Sequence, residues 1–240
     1  MVDSVYVHPH DWAQLLSLMA LLRSPEGCPW DREQNHKSIR QNLLEEAYEV
    51  CEAIDNDDMV LLCEELGDVL LQVVFHARME EEAGGFSIAD VLDGLCRKLI
   101  LRHPHVFGDA QAADAAEVLT RWDQIKRETK GQDTLYATLA AVARSLPALM
   151  RADKLVKKAA KADTASFGGA ETWNRLSRGA AELPQCSARG EDAEKSVGEF
   201  LFSAVAAARL LGVDPERALE RACDDFAASV GRAEGVLPPA

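Results

Sequence analysis

Aromatic residues are scarce in this 240-residue chain, at 6%. Long apolar runs are missing as well. No stretch approaches the roughly 18 uninterrupted apolar residues that a bilayer span needs, and the segment from Met1 to Trp12 lacks the basic and apolar regions of a signal peptide. The expectation is a cytoplasmic protein with no membrane partner. Alternating β-branched runs bounded by turns do not occur, which excludes a strand-built fold. The six cysteines (Cys28, Cys51, Cys63, Cys96, Cys186, Cys223) form no CxxC pair, so zinc and redox spacings are absent and reduced thiols are expected. There is no GxxxxGK[ST] phosphate loop, no Gly-x-Ser-x-Gly, and no Cys/His arrangement for nucleophilic catalysis.

Positive charge is also in short supply. Lys plus Arg number 26 against 40 Asp plus Glu, a net charge of −14, which opposes a footprint on nucleic acid or an anionic membrane. The imbalance is local. Residues 1–130 hold 12 basic and 25 acidic side chains, a net −13, whereas 131–240 hold 14 and 15, a net −1.

Helical spacing fills the chain, and the predicted fold class is all-α. A first helix from Asp11 carries Trp12, Leu15, Leu16, Met19 and Leu22 and stops at Ser24-Pro25-Glu26-Gly27. A loop follows over Cys28-Pro29-Trp30-Asp31. Ser38 is the expected cap of a second helix that ends near Asp55-Asn56-Asp57. A third runs from about Asp58 to Glu82, and Ser87 opens a fourth that ends at His103-Pro104. His105 to Ala116 reads as loop, and a short helix surrounds Trp122 and Ile125. The polar turn at Thr129-Lys130-Gly131-Gln132 marks the expected boundary between domains 1–130 and 131–240. Beyond it, helices are predicted near 135–150, 151–162, 171–183 and 194–211, with Pro184 to Asp192 as surface loop and a last helix opened by Asp214-Pro215.

An internal repeat emerges when the third helix is laid on 196–209. Gly67, Leu70, Val74, Ala77 and Arg78 match Gly198, Leu201, Val205, Ala208 and Arg209 at one constant offset, with flanking helices in the same order. Two copies of one α-helical unit are implied. The third helix is apolar nearly all round from Val69 to Phe75, which predicts burial on most sides, by the other repeat or by a second chain.

The acidic excess of the first half gathers on two helices. Glu45, Glu46, Glu49 and Glu52 lie on the second, and Glu64, Glu65 and Asp68 on the third. Glu46/Glu49 and Glu65/Asp68 are each spaced i,i+3 and share a helix face. An acidic face is usually only solvated, but Glu65 and Asp68 immediately precede the all-round apolar run. Carboxylates that converge under cover must be paired, protonated or bound to a cation. An all-carboxylate oxygen set suits Mg²⁺, with Mn²⁺ as substitute, and the Glu-x-x-His pairs of di-iron bundles are missing. Mg²⁺ in such a setting shares its coordination with substrate phosphates, for which Arg97, Lys98 and Arg102 are available cations. The same three also complement a helix C-terminus.

Glu45-Glu46-x-x-Glu49 followed by Glu65-x-x-Asp68 is preceded by Gly27-Cys28-Pro29-Trp30-Asp31-Arg32-Glu33-Gln34. It is followed by Arg102-His103-Pro104-His105-Val106-Phe107-Gly108. The whole pattern resembles the MazG-type nucleoside triphosphate pyrophosphohydrolases of the all-α NTP pyrophosphatase superfamily, in their tandem form. The resemblance implies two four-helix-type units in a helical bundle, a homodimer, and Mg²⁺-dependent hydrolysis of nucleoside triphosphates to monophosphate and pyrophosphate. It implies Glu46, Glu49, Glu65 and Asp68 as metal ligands, Glu45 as the group acting on water, and Lys98 and Arg102 as catalytic phosphate contacts. Trp30, Asp31, Arg97, Trp122 and Lys126 are the further substrate-binding residues. A narrower superfamily substrate such as dUTP, dCTP or phosphoribosyl-ATP is one alternative; a non-catalytic Mg²⁺-nucleotide-binding or dimerisation module is another. The second copy departs from the pattern. Arg178, Gly179 and Glu182 stand where the first has Glu45, Glu46 and Glu49, and Ser196 and Glu199 where it has Glu65 and Asp68, so a structural role is expected for it.

Overall fold

Capping chemistry sets where the first helices start. In a computed structural model of the chain, Asp11 and Gln14 form a reciprocal capping box that opens α1 (Trp12–Leu22). The structure describes residues 10–108, 131–162, 168–186 and 192–236, together with 114, 117, 118, 120–122, 125 and 129. Every regular element among them is helical, and no single described helix is long and apolar enough to cross a membrane. Two compact units are present, Met1–Val118 and Leu119–Ala240. The expected boundary at 130 lies inside the second, in a stretch that is only partly described.

In the first unit, α1 is followed by α2 (Pro29–Glu33), α3 (Arg40–Asp55), α4 (Met59–Glu82), α5 (Ile88–Arg102) and α6 (Pro104–Phe107). The loop expected over Cys28–Asp31 is thus partly helical, because Pro29 sits at the first helical position with φ already suited to it. Ser38 does not cap α3. Ile39 holds the cap position without a side-chain bond, and Ser38 instead accepts from the Asn35 amide at 2.9 Å. The reason is burial, since Ile39 turns into the core formed with Met19, Val74, Phe75 and Met79, against which Leu15, Leu16 and Leu71 pack.

Arg23, at the end of α1, ties these elements together. Its guanidinium donates to Glu82 at 2.8 Å and to the carbonyl oxygens of Asp31 and Gln34, and it lies 5.4 Å over the Phe75 ring. Gly27 makes the turn between α1 and α2 possible, for a Cβ there would stand 2.1 Å from the Leu21 carbonyl oxygen.

Burial along α4 is one-sided. Glu65, Gln72, Val74, Phe75, Ala77 and Met79 are buried, while Leu66, Leu70 and Val73 remain exposed. The expectation of cover on most sides is not met within this unit, because α1 and α3 reach only part of the helix circumference. Val91, Leu92, Leu95 and Leu99 on α5 are exposed as well.

The second unit contains α7 (Leu135–Ala140), α8 (Ala148–Ala162), α9 (Gly169–Glu182), α10 (Ala193–Leu210) and α11 (Pro215–Ala233), with a 3₁₀ turn at Leu183–Gln185. The helix predicted over 135–150 is broken over 141–147, and α8 starts directly after Pro147, which disfavours helical backbone at the residue before it. Val142, in the break, turns into the core. Asp214 caps α11 as the sequence implies, and Asp192, the last residue of the predicted loop, caps α10. The hairpin α9/α10 stands to its unit as α3/α4 stands to the first.

Candidate metal centre

The site is built by a tight helical hairpin. Asn56 ends α3, Asp57 adopts a left-handed conformation at φ 53°, and Asp58 accepts from the Val60 and Leu61 amides to start α4. Aspartate tolerates that conformation better than most residues. Ala53 is fully buried, so the two helices run close together from the turn outward. Glu49 and Glu65 lie equally far from Asp57 along the chain, as do Glu46 and Asp68, and an antiparallel hairpin therefore sets each pair face to face.

The electrostatics follow that pairing. Carboxylate oxygens of Glu46, Glu49 and Glu65 lie within 4.8 Å of one another. Burial, then the facing Asp68 charge, raises the Glu46 carboxyl above the usual carboxylate range, with a bond to Glu49 and the charges of Glu49 and Glu65 adding to it. Burial, then the facing Glu49 charge, raises Glu65 in the same way. Glu65 is 8% exposed, the one buried member of the triad. Asp68 stands outside the tight triad but near enough for its charge to act on both. No cationic side chain is among the causes acting on either raised carboxyl. A set of hard, negatively charged oxygen donors on two rigid helices is what a divalent cation of the Mg²⁺ or Ca²⁺ kind takes.

The other residues marked by the sequence are distributed around this centre. Glu45 is exposed on α3 beside Glu46. Lys98 and Arg102 lie one turn apart on α5, which packs on α4, and Arg97 is engaged by Asp93 at 2.8 Å. Trp30 is exposed on α2, and Asp31 gives its carbonyl oxygen to Arg23. Trp122 belongs to the second compact unit, where it lines a cavity with residues of α7 and α8. Lys126 lies outside the described residues.

One cluster was not visible in the sequence. His36, in the linker before α3, stacks on His76 of α4 with ring centroids 5.1 Å apart. Their Nδ1 atoms are 2.8 Å apart, and His36 Nε2 is 2.7 Å from Glu80. Burial, with His36 beside it, holds His76 below the ordinary histidine range. The i,i+4 spacing of His76 and Glu80 was the available signal, but His36 comes from a linker that no helical pattern places.

In the second unit the corresponding hairpin encloses a cavity of about 660 Å³ whose wall is mixed in charge. Arg175 pairs with Glu171 at 2.7 Å and Lys195 lies 3.9 Å from Glu199. A Cβ on Gly179, where the first unit has Glu46, would stand 3.2 Å from the Phe200 ring. Phe200 thus fills the space that a carboxylate would need.

The MazG nucleotide pyrophosphohydrolase domain family matches residues 34–107, from the linker before α3 to the end of α6. A nucleoside triphosphate pyrophosphohydrolase of Escherichia coli K12 is 42% identical over 218 residues, covering 89% of this chain and 83% of that protein. The chain belongs to the MazG family. A nucleoside triphosphate pyrophosphohydrolase/pyrophosphatase MazG of Thermotoga maritima is likewise 42% identical over 215 residues, 89% of this chain and 81% of that one. An uncharacterized protein YabN of Bacillus subtilis is 39% identical over 236 residues, of which this chain spans 48%. All four clustered acids, with Lys98 and Arg102, fall inside the stretch matched by the MazG domain.

Proposed function

We propose that the chain hydrolyses nucleoside triphosphates to nucleoside monophosphate and pyrophosphate, with Mg²⁺, replaceable by Mn²⁺, held by Glu46, Glu49, Glu65 and Asp68. The observation that carries this reading is the opposed carboxylate triad, in which Glu46 and Glu65 are raised in pKa with no cationic side chain among the causes acting on them, on the hairpin that matches the MazG domain. When bound, the cation supplies charge neutralisation for triphosphate oxygens and for the departing pyrophosphate. Glu45 takes the proton of a water whose oxygen bonds to the α-phosphorus, and the bond from that phosphorus to the bridging oxygen breaks. Lys98 and Arg102 hold the β and γ oxygens, worth most where charge accumulates in the transition state. Trp30 offers a ring face to the base, and Asp31, Arg97, Trp122 and Lys126 are further substrate contacts that the resemblance implies.

Catalysis is assigned to the first unit and assembly to the second, whose hairpin keeps only Glu182 and Glu199 of the acidic set. The apolar side chains left open on α4 and α5 support a homodimer, because Leu66, Leu70 and Val73 form a stripe at helical spacing that water covers in a lone chain. Six free thiols, four of them exposed, support a reducing cytoplasmic setting. Nothing in the charge balance supports a nucleic acid polymer or membrane partner. The test is release of pyrophosphate and nucleoside monophosphate from a panel of nucleotides with Mg²⁺ and with EDTA. Metal-dependent formation of both products, lost in Glu46→Ala and Asp68→Ala, is the expected result; turnover retained in either variant would overturn the assignment.

A further inference from the structure

The most basic stretch of this acidic chain is α8. It carries Arg151, Lys154, Lys157, Lys158 and Lys161 against one carboxylate, Asp153, which is taken by Arg209 at 2.9 Å. The four lysines are spaced i, i+3, i+4 and i+7, so they share one helix face, opposite the buried Val156 and Ala159. Like charges at these spacings repel one another. The helix macrodipole accounts only for Lys161, in the last turn.

All four line a single cavity of about 630 Å³, together with Trp122 and Thr134. Asp133 is the one carboxylate among the described residues of its wall, against four lysines. A cavity of that volume lies in the range that accommodates nucleotide-sized ligands. At a rise of 1.5 Å per residue the lysines span about 10 Å, the scale of a short phosphoanhydride chain. Ammonium groups bind phosphate oxygens without a metal, and an indole face beside them suits a stacked base.

We infer that α8 and Trp122 form a metal-independent binding site for a linear phosphoanhydride chain, carried by a nucleotide or supplied as inorganic polyphosphate. The site uses none of the clustered carboxylates and shares only Trp122 with the residues named for hydrolysis, so the lysine variants test it apart from the proposed function. Binding of ATP and of inorganic tripolyphosphate to the full chain is measured by calorimetry in EDTA. At least one is expected to bind, more weakly as salt rises. Affinity is expected to fall at least about tenfold in the combined Lys154→Gln, Lys157→Gln, Lys158→Gln and Lys161→Gln variant, since charge-assisted contacts are lost. Arginine at the same four positions retains binding, Glu65→Gln leaves it unchanged, and far-UV circular dichroism checks that α8 persists. Tighter binding of ATP than of tripolyphosphate, with the difference lost in Trp122→Ala, assigns the nucleotide; equal affinities assign the inorganic chain. Absence of binding by both ligands in EDTA overturns the proposal. So does a folded glutamine variant that binds as tightly as the parent chain, or an arginine variant that loses binding as fully as the glutamine one.

Discussion

Replacing Glu46 by glutamine is expected to stabilise the metal-free chain while abolishing turnover. Glu46 shares a 4.8 Å cluster with Glu49 and Glu65 and faces Asp68. Two unit charges at that separation repel by about 1 kcal/mol in a water-like dielectric, the appropriate limit for a half-open cluster. With more than one like-charged neighbour, neutralising Glu46 relieves about 1–2 kcal/mol at low salt. For a unit of this size that corresponds to a rise of roughly 3–8 °C in Tm. The parent chain gains in turn from the cation, by about 2.7 kcal/mol at a hundredfold excess over Kd. The order of stabilities should therefore invert, with Glu46→Gln above the parent in EDTA and below it in saturating Mg²⁺. Acidification supplies an internal check. Because the folded-state pKa of Glu46 is raised, its contribution is fully present below the unfolded value and lost as pH rises through the folded one. The gap in EDTA should accordingly close as pH falls from neutrality. Differential scanning calorimetry at low salt reads all three effects. A lower Tm for Glu46→Gln in EDTA, or a parent Tm indifferent to the cation, would refute the reasoning.

Other perturbations read other parts of the structure. The folded-state pKa of His76 is lowered, so its stabilisation is present above the ordinary histidine value of 6.5 and lost as pH falls through the lowered one. Urea unfolding followed between pH 7 and 5 should show that loss, and His76→Phe should flatten it; an unchanged slope in the variant would remove His76 as the cause. Arg23→Ala should cost about 2–4 kcal/mol, because it strips Glu82, two carbonyl oxygens and the Phe75 face of one largely covered guanidinium. A loss below about 0.5 kcal/mol in chemical denaturation would show that water replaces those bonds freely. Gly27→Ala should destabilise by more than about 2 kcal/mol, since the added carbon meets backbone oxygen with nowhere to move. The double change Glu182→Ala with Glu199→Ala should leave pyrophosphate release nearly intact, and its abolition would place catalysis in the second unit.

The carboxylate centre was legible because two rules act locally. The i,i+3 spacing fixes a shared face, and a short turn fixes which faces meet, so Glu46, Glu49 and Glu65 could be brought together on paper. Helix starts at Asp11, Asp58, Ser87 and Asp214 were readable for the same reason, as each side chain bonds an amide only two or three residues ahead. What escaped depends on contacts distant in sequence. Ser38 satisfied the local rule for a cap, but burial of Ile39 decided the start of α3. His36 reaches His76 across 40 positions, and Arg23 reaches Glu82 across 59, with no periodicity to announce either. The stripe of α4 stays open in the lone chain because an apolar sequence states a demand for cover and does not say which molecule meets it.

The two hairpins differ in how much like-charge repulsion they carry. In the first unit the clustered acids repel one another when no cation is bound, a destabilisation that the proposed metal-dependent activity would offset. In the second, each replacement removes part of that repulsion. Arg178 and Lys195 bring opposite charge, Ser196 removes a negative one, and at Gly179 the vacated volume is filled by the Phe200 ring. Packing then makes the change difficult to reverse, because a glutamate restored at 179 must displace an aromatic side chain before it can face residue 199. Restoring acids at 178, 179 and 196 is therefore expected to give a less stable chain without adding a second catalytic centre, unless Phe200 is reduced to a residue the size of Val69, its counterpart on α4. Loss of charge alone would be reversible by charge alone, and it is the filled space that separates the two units.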